Sequence, residues 1–379
     1  MSGFSPPTNP EVLIIGAGPA GLALAYELKQ RGVRSLLLER GPAVGHSWSN
    51  MPAQLRLLSP WKANSLPGSD ARRFPRHQAL SGIEYAAVLQ EHARDNDLAA
   101  VTGVEVREVS RLAAENFIVH TSAGVFAAPL LVNATGYFAN PFIPEIPGAR
   151  ESSVAQFHFA NYRDSDHLRQ RLGKTSGLVL IVGQRLSAGQ ALVELADAGF
   201  EIALSHRRPI QFGAGPVGWW IFFRIHPALE KLKLRLQGDK ARGVEVRMPG
   251  GRARQLIESG RVKTFPGLER FEGRRVVFTD GRTLEPDAVL YATGFRPALA
   301  HLASLGLALD KHTGQPARQG FESADTPGLF FLGLDGLRNF RSRFIRGLRE
   351  DASLLADVLA TRVRHHPAKS TPHLCEVSA

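Results

Sequence analysis

A glycine-rich segment near the N-terminus has the spacing that binds the pyrophosphate of a dinucleotide. Its residues, in order, are Gly16, Ala17, Gly18, Pro19, Ala20 and Gly21. In the pattern G-x-G-x-x-G the first glycine permits a tight turn, the second lets the backbone approach the phosphates, and the third allows close packing of a helix on a strand. A helix that starts here directs its free amides and positive dipole end at the phosphates. Glu39 ends the next apolar run, and its carboxylate can accept both hydroxyls of an adenosine ribose.

A second segment has a similar pattern but a different central residue. Its residues, in order, are Gly183, Gln184, Arg185, Leu186, Ser187 and Ala188. Gly183 takes the first glycine position and Ala188 serves as the third, whereas Arg185 replaces the middle glycine. Two hypotheses follow: the side chain obstructs the closest approach of the backbone, or its guanidinium binds a phosphate directly.

The end of the following strand indicates which dinucleotide binds there. His206, Arg207 and Arg208 stand where the first segment has Glu39. A carboxylate repels a 2′-phosphate and arginines attract it, so this site is predicted to bind NADP rather than NAD. The alternative interpretation is that these arginines are solvated surface charges.

Both segments lie in a repeated order of predicted elements. Each copy has a strand, the turn, a helix, a second strand, a short meander and an apolar strand that leads into Ala-Thr-Gly, at 134–136 and 292–294. The predicted fold class is α/β, with two Rossmann-like dinucleotide-binding domains, the second inserted into the first, and a small antiparallel β-meander in each. The predicted bounds are 8–155 and 295–363 for the first domain, 170–294 for the inserted domain and 364–379 for a disordered tail.

The composition excludes several kinds of chemistry. The chain has 379 residues and one cysteine, Cys375, so it can form neither an internal disulfide nor a C-x-x-C redox pair. No cluster has the spacing of metal ligands, and no metal is expected. The net charge of +11 comes from scattered basic residues, which favours anionic cofactors over nucleic acid. No apolar run is long enough to span a membrane, so the protein is expected in the cytoplasm.

Longer stretches resemble the flavin-containing monooxygenase family, and in particular the bacterial flavoproteins associated with cation diffusion facilitators. The resemblance covers Val12–Leu359. Besides the first glycine segment, it rests on Leu36–Arg40, Gly45–Trp48, Leu55–Gly68, Asn133–Pro144, Leu290–Pro297 and Phe330–Phe344. It implies FAD in the first domain and NADPH in the inserted domain. It also implies that one oxygen atom of O2 is inserted into a small, apolar organic substrate through a C4a-hydroperoxyflavin.

The resemblance assigns roles to individual residues. Those expected at FAD are Gly16, Gly18, Pro19, Ala20, Gly21, Glu39, Arg40, Trp48, Gly333 and Asp335. Those expected at NADPH are Gly183, Gln184, Arg185, Ser187, Ala188, Arg207 and Arg208. Those expected at the crossings between the domains are Thr135, Gly136, Thr293 and Gly294. Ser59 and Asn64 are the candidate catalytic residues, and the alternative for Asn64 is a turn residue before Leu66.

The chain departs from the family pattern in places that bear on function. The positions concerned are His46, Leu58, Ser152 and Val154, where relatives have glycine, histidine, phenylalanine and glycine. His158 and Tyr162 still fit the monooxygenase fingerprint F-x-G-x-x-x-H-x-x-x-Y. The leading hypothesis is N- or S-oxygenation or Baeyer–Villiger oxidation. The altered fingerprint leaves open an NADPH oxidase or dehydrogenase without oxygen insertion, and the basic surface leaves open a redox sensor with low turnover.

One aromatic and basic stretch, Val217–Leu236, has two interpretations. It is a lid over an apolar substrate or a patch in weak contact with a membrane surface, or else it is a helix pair packed on the two domains. The histidines without ligand spacing, interpreted as structural or surface residues, are His77, His92, His120 and His226. No oligomeric state is predicted from the sequence.

Overall fold

The computed structural model describes residues 9–53, 55–57, 59–75, 78–112, 116–213, 236 and 247–365. Outside this set lie several residues that carry predictions. They are Leu58, His77, residues 217–235 of the lid or membrane patch, Cys375 and the tail beyond 365. Those predictions therefore have no structural counterpart below.

The strands are numbered β1–β18 in chain order. Before the first crossing they are β1 (Val12–Ile15), β2 (Ser35–Glu39), β3 (Ala100–Thr102), β4 (Val106–Leu112), β5 (Asn116–Thr121), β6 (Gly124–Ala128) and β7 (Leu130–Asn133). Between the crossings they are β8 (Ala155–His158), β9 (Leu178–Val182), β10 (Glu201–Ser205), β11 (Lys263–Phe265), β12 (Leu268–Glu272), β13 (Arg275–Phe278), β14 (Thr283–Leu284) and β15 (Ala288–Tyr291). After the second crossing they are β16 (Arg318–Gln319), β17 (Glu322–Ser323) and β18 (Leu329–Phe331).

The α-helices are numbered in the same way. They are α1 (Pro19–Gln30), α2 (His46–Ser49), α3 (Trp61–Asn64), α4 (Gly82–Asp95), α5 (Ser165–Leu172), α6 (Leu186–Asp197), α7 (Arg252–Glu258) and α8 (Ile345–His365). Helix α8 runs to His365, two residues into the predicted tail, and its last turn is basic, which suits the negative end of the helix dipole. Among the described residues, none of the helices is long and apolar enough to cross a membrane.

The first sheet has seven strands in the order β16-β17-β18-β7-β1-β2-β3. Its strands β18, β7, β1, β2 and β3 run parallel, and β16 and β17 add an antiparallel edge. Every residue of β1 is buried, because α1 and the meander strands β5 and β6 pack against the sheet. Helix α8 packs against α1. Residues after the second crossing thus complete the sheet that the N-terminus begins.

The second sheet has five parallel strands in the order β11-β10-β9-β15-β8. All five come from the chain between the two crossings, so this domain is inserted into the first. Its edge strand β8 begins at residue 155, the last residue predicted for the first part of the first domain. It continues through residues 156–158, which the predicted bounds assign to neither domain. The predicted fold class is confirmed.

A separate three-stranded antiparallel sheet accompanies each parallel sheet. These are β4-β5-β6 in the first domain and β12-β13-β14 in the second. They are the two meanders expected from the repeated order of elements.

The two crossings between the domains pair with each other. Phe142 N–H donates to the carbonyl of Gly294 (2.9 Å), and Ala298 N–H donates to the carbonyl of Gly136 (3.0 Å). The Thr135 hydroxyl adds a bond to the carbonyl of Ala298 (2.8 Å). The Ala-Thr-Gly segments of both domains are therefore held at one junction.

Candidate active site

The first glycine turn leaves no room for side chains at two of its three glycines. Gly16 has a φ of +104°, and a Cβ added there would lie 2.8 Å from the carbonyl oxygen of Ala134. A Cβ on Gly21 would lie 2.0 Å from the carbonyl oxygen of Gly16. By contrast, a Cβ on Gly18 would meet nothing within 4 Å. The turn is closed on the protein side and open at Gly18, which is the space that a pyrophosphate needs.

Helix α1 begins at the open side of this turn. Gly18 is the N-cap, Pro19 occupies the first helical position, and no side chain caps the helix. The first-turn amides of a helix have no partner within the helix, so they can bind an anion there. The structure therefore offers backbone donors where the sequence predicts the phosphates.

Glu39 has a role at this turn that the sequence does not reveal. Its two carboxylate oxygens accept the N–H groups of Ala17 (2.9 Å) and Gly41 (2.8 Å). These bonds tie the glycine turn to the loop after β2. Each carboxylate oxygen has a second lone pair, so Glu39 can still accept a ribose hydroxyl.

Two cavities meet at Glu39. The larger has a volume of about 1130 Å³ and the smaller about 500 Å³, and both are lined by Gly16, Glu39, Ser47 and Thr135. The smaller cavity continues past Arg40 towards His301. The larger runs from the first glycine turn to the arginines of the second domain. This extended shape suits two dinucleotides placed end to end.

Most of the predicted cofactor residues line one of these cavities. They are Gly16, Gly18, Pro19, Ala20, Glu39, Arg40, Trp48, Thr135, Gly136, Arg185, Arg207, Arg208, Thr293, Gly294, Gly333 and Asp335. The others belong to the two turns and are not among the described residues that line the two cavities. They are Gly21, Gly183, Gln184, Ser187 and Ala188.

The second turn, like the first, begins with a glycine at which a side chain would not fit. Gly183 has a φ of +153°, and a Cβ there would lie 2.5 Å from the carbonyl oxygen of Ala292, the alanine of the second Ala-Thr-Gly. Ala188 is fully buried where the first turn has its third glycine. The Gln184 side chain accepts the N–H of Arg208 (3.1 Å), which joins this turn to the loop after β10.

A polar cluster at the cavity wall includes residues that the sequence did not single out. The hydroxyl of Tyr137 accepts the N–H of Asp335 and the side-chain amide of Gln315, each at 2.7 Å. Burial raises the pKa of Tyr137 to about 12, so its hydroxyl is neutral at pH 7. Burial also raises the pKa of Asp335, and Arg343 at 3.4 Å opposes that shift. Tyr137 directly follows the first Ala-Thr-Gly, a signal in the sequence, whereas Gln315 has none.

A chain of aromatic rings crosses from the first domain into the second. The contacts join Trp48 to Phe138 (centroids 6.2 Å apart), Phe138 to Phe295 (5.1 Å) and Phe295 to His158 (4.9 Å). All are edge contacts, the arrangement that ring quadrupoles favour. Trp48, Phe138 and Phe295 line the larger cavity. We call these three residues and His158 the aromatic bridge.

The two fingerprint residues that fit the family pattern are anchored in the second domain. His158 is buried, its Nδ1 accepts the N–H of Ala160 (3.1 Å), and burial lowers its pKa. Its imidazole is therefore neutral, with the proton on Nε2. The hydroxyl of Tyr162 donates to Glu194 on α6 (2.6 Å). Both contacts position the segment that leads into the second sheet.

The candidate catalytic residues do not lie at the cavity walls. Asn64 is buried; its side-chain amide donates to the carbonyl of Ser59 (2.7 Å), and its own carbonyl accepts the hydroxyl of Tyr85 (2.9 Å). Neither Asn64 nor Ser59 is among the described residues that line the two cavities. Their contacts are those of residues that hold α3 in place, and the catalytic roles stay predictions. Within the described part of the chain, no three His, Cys, Asp or Glu side chains form a group that could hold a metal ion.

Comparison with known proteins gives concordant matches. The pyridine nucleotide-disulphide oxidoreductase family matches residues 13–333. An uncharacterized CzcO-like oxidoreductase of Geobacillus kaustophilus is 30% identical over 361 residues, 92% of this chain and 98% of the relative. The solved flavin-containing monooxygenase of Stenotrophomonas maltophilia superposes with a TM-score of 0.77 at 23% identity, over 93% of this chain and 98% of that one. The bacillithiol disulfide reductase Bdr of Bacillus cereus superposes with a TM-score of 0.71 at 22% identity, over 93% of this chain and 99% of that one.

These matches agree with the two dinucleotide turns described above. The family match spans both turns and both Ala-Thr-Gly segments. This chain belongs to the pyridine nucleotide-disulphide oxidoreductase family and shares its fold with a flavin-containing monooxygenase, and its cofactors are FAD and NADPH.

Proposed function

We propose that this protein uses NADPH and O2 to insert one oxygen atom into a small, apolar organic substrate. The observation that carries the proposal is the single cavity that joins the two dinucleotide turns, with the aromatic bridge between them. Direct transfer between two cofactors needs such a shared space. The family also contains disulfide reductases, but this chain has one cysteine, at 375, and so cannot form an internal dithiol.

The proposed roles of the residues follow from the geometry of the site. Bound FAD supplies hydride acceptance and the reaction with O2. Gly18 and the start of α1 bind its pyrophosphate, Glu39 accepts from its adenosine ribose, and Asp335 meets its ribityl chain. Because Trp48, Phe138 and Phe295 are apolar, they exclude water from the space between the cofactors.

The inserted domain is proposed to bind NADPH. Arg207 and Arg208 line the cavity at the end of β10 and attract the 2′-phosphate. Thr293 and Gly294, at the crossing, line the same cavity opposite Thr135 and Gly136. The cytoplasmic location, the membrane contact and the type of oxygenation stay predictions.

An anaerobic reduction followed by exposure to air tests the proposal. The purified yellow protein is expected to bleach when NADPH is added without oxygen. On admission of air, a lasting absorbance band that differs from both oxidised and reduced flavin is expected, since the site excludes water. Substrate then accelerates its decay without release of peroxide. Protein that returns directly to oxidised flavin, with one peroxide per NADPH for every substrate, would contradict oxygen insertion.

One observation favours a second candidate, an NADPH oxidase or dehydrogenase. At the altered fingerprint positions, the Ser152 hydroxyl donates to the carbonyl of Gly273 (2.7 Å) and accepts the N–H of Val154 (3.2 Å). The Ser152 hydroxyl anchors the linker to the second meander in a way that a phenylalanine, which has no hydroxyl, could not. The peroxide measurement above separates the two candidates.

A further inference from the structure

The second dinucleotide turn has a side chain where the first has open space. Gly18 and Arg185 are the N-caps of helices of equal length, 12 residues each, and both have extended backbone conformations (φ −82°, ψ −172° and φ −116°, ψ −157°). No side chain caps either helix. Because a Cβ on Gly18 would enter the open cavity, the Cβ of Arg185 occupies the matching space of the second turn. The backbone amides of α6 cannot be approached as closely as those of α1.

Positive charge is concentrated at this end of the larger cavity. Arg185, Arg207, Arg208 and Arg296 all line it. Of the described residues on its walls, the acidic ones are Glu39 and Asp335, and both belong to the first domain. The second domain therefore contributes guanidinium groups and no carboxylate to this wall.

The loop that carries two of these arginines is tied to the turn that carries the third. Gln184 accepts the backbone N–H of Arg208, and the imidazole Nδ1 of His206 lies 2.9 Å from the carbonyl of Arg208. The stem of Arg207 lies beside Gly267, where a Cβ would come within 3.2 Å of it. The bond between the Gln184 side chain and the Arg208 backbone thus links the turn of Arg185 to the loop of the arginine pair.

We propose that Arg185 is itself a ligand of the NADPH pyrophosphate and replaces the backbone amides that a middle glycine would expose. A guanidinium presents a planar fork of donors that matches two phosphate oxygens. Arg207 and Arg208 then bind the 2′-phosphate. Arg185 and this arginine pair therefore contact different phosphates of one ligand. This inference rests on the proposed NADPH site in the inserted domain.

Calorimetric titration of the FAD-loaded protein with NADP⁺ and with NAD⁺ tests it, because neither ligand turns over. Arg185→Gln is expected to weaken both ligands by a similar factor, about tenfold, since both ligands have the pyrophosphate. Arg185→Gly is expected to lose less affinity, because a middle glycine exposes the backbone amides of α6. Arg207→Gln combined with Arg208→Gln is expected to weaken NADP⁺ alone. Arg185→Lys keeps the charge but lacks the planar fork of donors, so an intermediate loss of affinity for both ligands is expected.

The control is Arg275→Gln, which removes one exposed positive charge on β13 outside the cavity. It is expected to leave both affinities unchanged. Glycine is an accepted N-cap, so Arg185→Gly is expected to fold, and thermal unfolding checks this. Unchanged or tighter binding by Arg185→Gln would overturn the role of Arg185. Wild-type protein that binds neither ligand would instead overturn the proposed NADPH site.

Discussion

At the scale of single residues, two glycines of the first turn, Gly18 and Gly21, are required for different reasons. Gly21 is excluded from substitution by contact with the backbone of Gly16, whereas Gly18 faces open cavity. Gly18 also has a φ of −82°, which any residue can adopt. A side chain at Gly21 would therefore disturb the fold itself, whereas a side chain at Gly18 would obstruct only the ligand.

Replacing each of these glycines by alanine separates the two costs. Gly21→Ala is expected to destabilise the fold by at least about 2 kcal/mol, because its Cβ cannot fit without moving the turn. Gly18→Ala is expected to keep the stability of the flavin-free protein within about 1 kcal/mol and to lower the affinity for FAD. Thermal unfolding and flavin content measure the two effects. Equal destabilisation by both variants would contradict the distinction.

His301 gives a pH dependence at the smaller cavity. Its Nε2 lies 2.9 Å from the side-chain oxygen of Asn133 at the end of β7, and burial lowers its pKa to about 4. The unfolded chain, with a pKa near 6.5, therefore binds more protons between pH 6.5 and pH 4, and stability falls as the pH is lowered through this window. The loss from this group is expected to reach up to about 3 kcal/mol.

The matched variant is His301→Gln, which keeps a donor towards Asn133 but does not titrate. Denaturant unfolding at several pH values measures both proteins. The difference in the free energy of unfolding between variant and wild type is expected to shift in favour of the variant as the pH drops from 6.5 to 4. A constant difference over this range would show that folding does not lower the pKa of His301.

At the scale of elements, Tyr162 attaches the fingerprint segment to α6. Its hydroxyl bonds to Glu194, whose other oxygen accepts the N–H of Ser165 (2.9 Å) and whose pKa is raised by burial. Tyr162→Phe leaves a half-buried carboxylate with one partner fewer, so a loss of about 1.5–3 kcal/mol in stability is expected. Helix α6 carries Arg185 at its N-cap, so NADP⁺ affinity is expected to fall as well.

Tyr291→Phe is the control for this element. The hydroxyl of Tyr291 donates to the neutral side chain of Gln156 (2.7 Å), in the same sheet. A smaller loss of stability, about 0.5–1.5 kcal/mol, is expected for Tyr291→Phe, since neither group in this hydrogen bond is charged. Thermal unfolding that shows no difference between the two variants would exclude a special role for the bond to Glu194.

At the scale of the whole molecule, the aromatic bridge lies where the two domains meet. Phe138 is 44% exposed, yet its ring contacts both Trp48 and Phe295. The paired crossings hold these rings together, because Phe138 and Phe295 come from opposite strands of the junction. The water exclusion proposed for this site therefore depends on the assembly of both domains.

Removing the central ring is expected to uncouple the reaction. Phe138→Ala opens the space between the cofactors to water, so more peroxide is expected for each NADPH consumed, while stability changes little because the ring is partly exposed. Phe138→Leu fills part of the space and is the control. Peroxide assays in the presence and absence of substrate measure the effect, and an unchanged peroxide yield in Phe138→Ala would rule out this role of the bridge.

The sequence by itself determined the fold class, and most of the cofactor residues predicted from it line one of the two cavities. The strand, turn and helix of each repeat can be predicted from local hydrophobic periodicity. Glycines at this spacing between a strand and a helix indicate a turn that binds a pyrophosphate. The two repeats also predicted the meanders and the insertion, because each repeat contains a complete set of elements.

Tertiary structure alone decided which residues meet across the domains. The bond from Ala17 to Glu39, the Tyr137–Gln315 pair and the aromatic bridge join residues from 22 to 178 positions apart, and sequence periodicity has no information at that range. Asn64 shows the converse case: its motif suggested chemistry, but its amide is bonded to Ser59 behind the wall. Side-chain direction depends on packing of distant segments, and this is the physical reason why the site could only be completed from the folded chain.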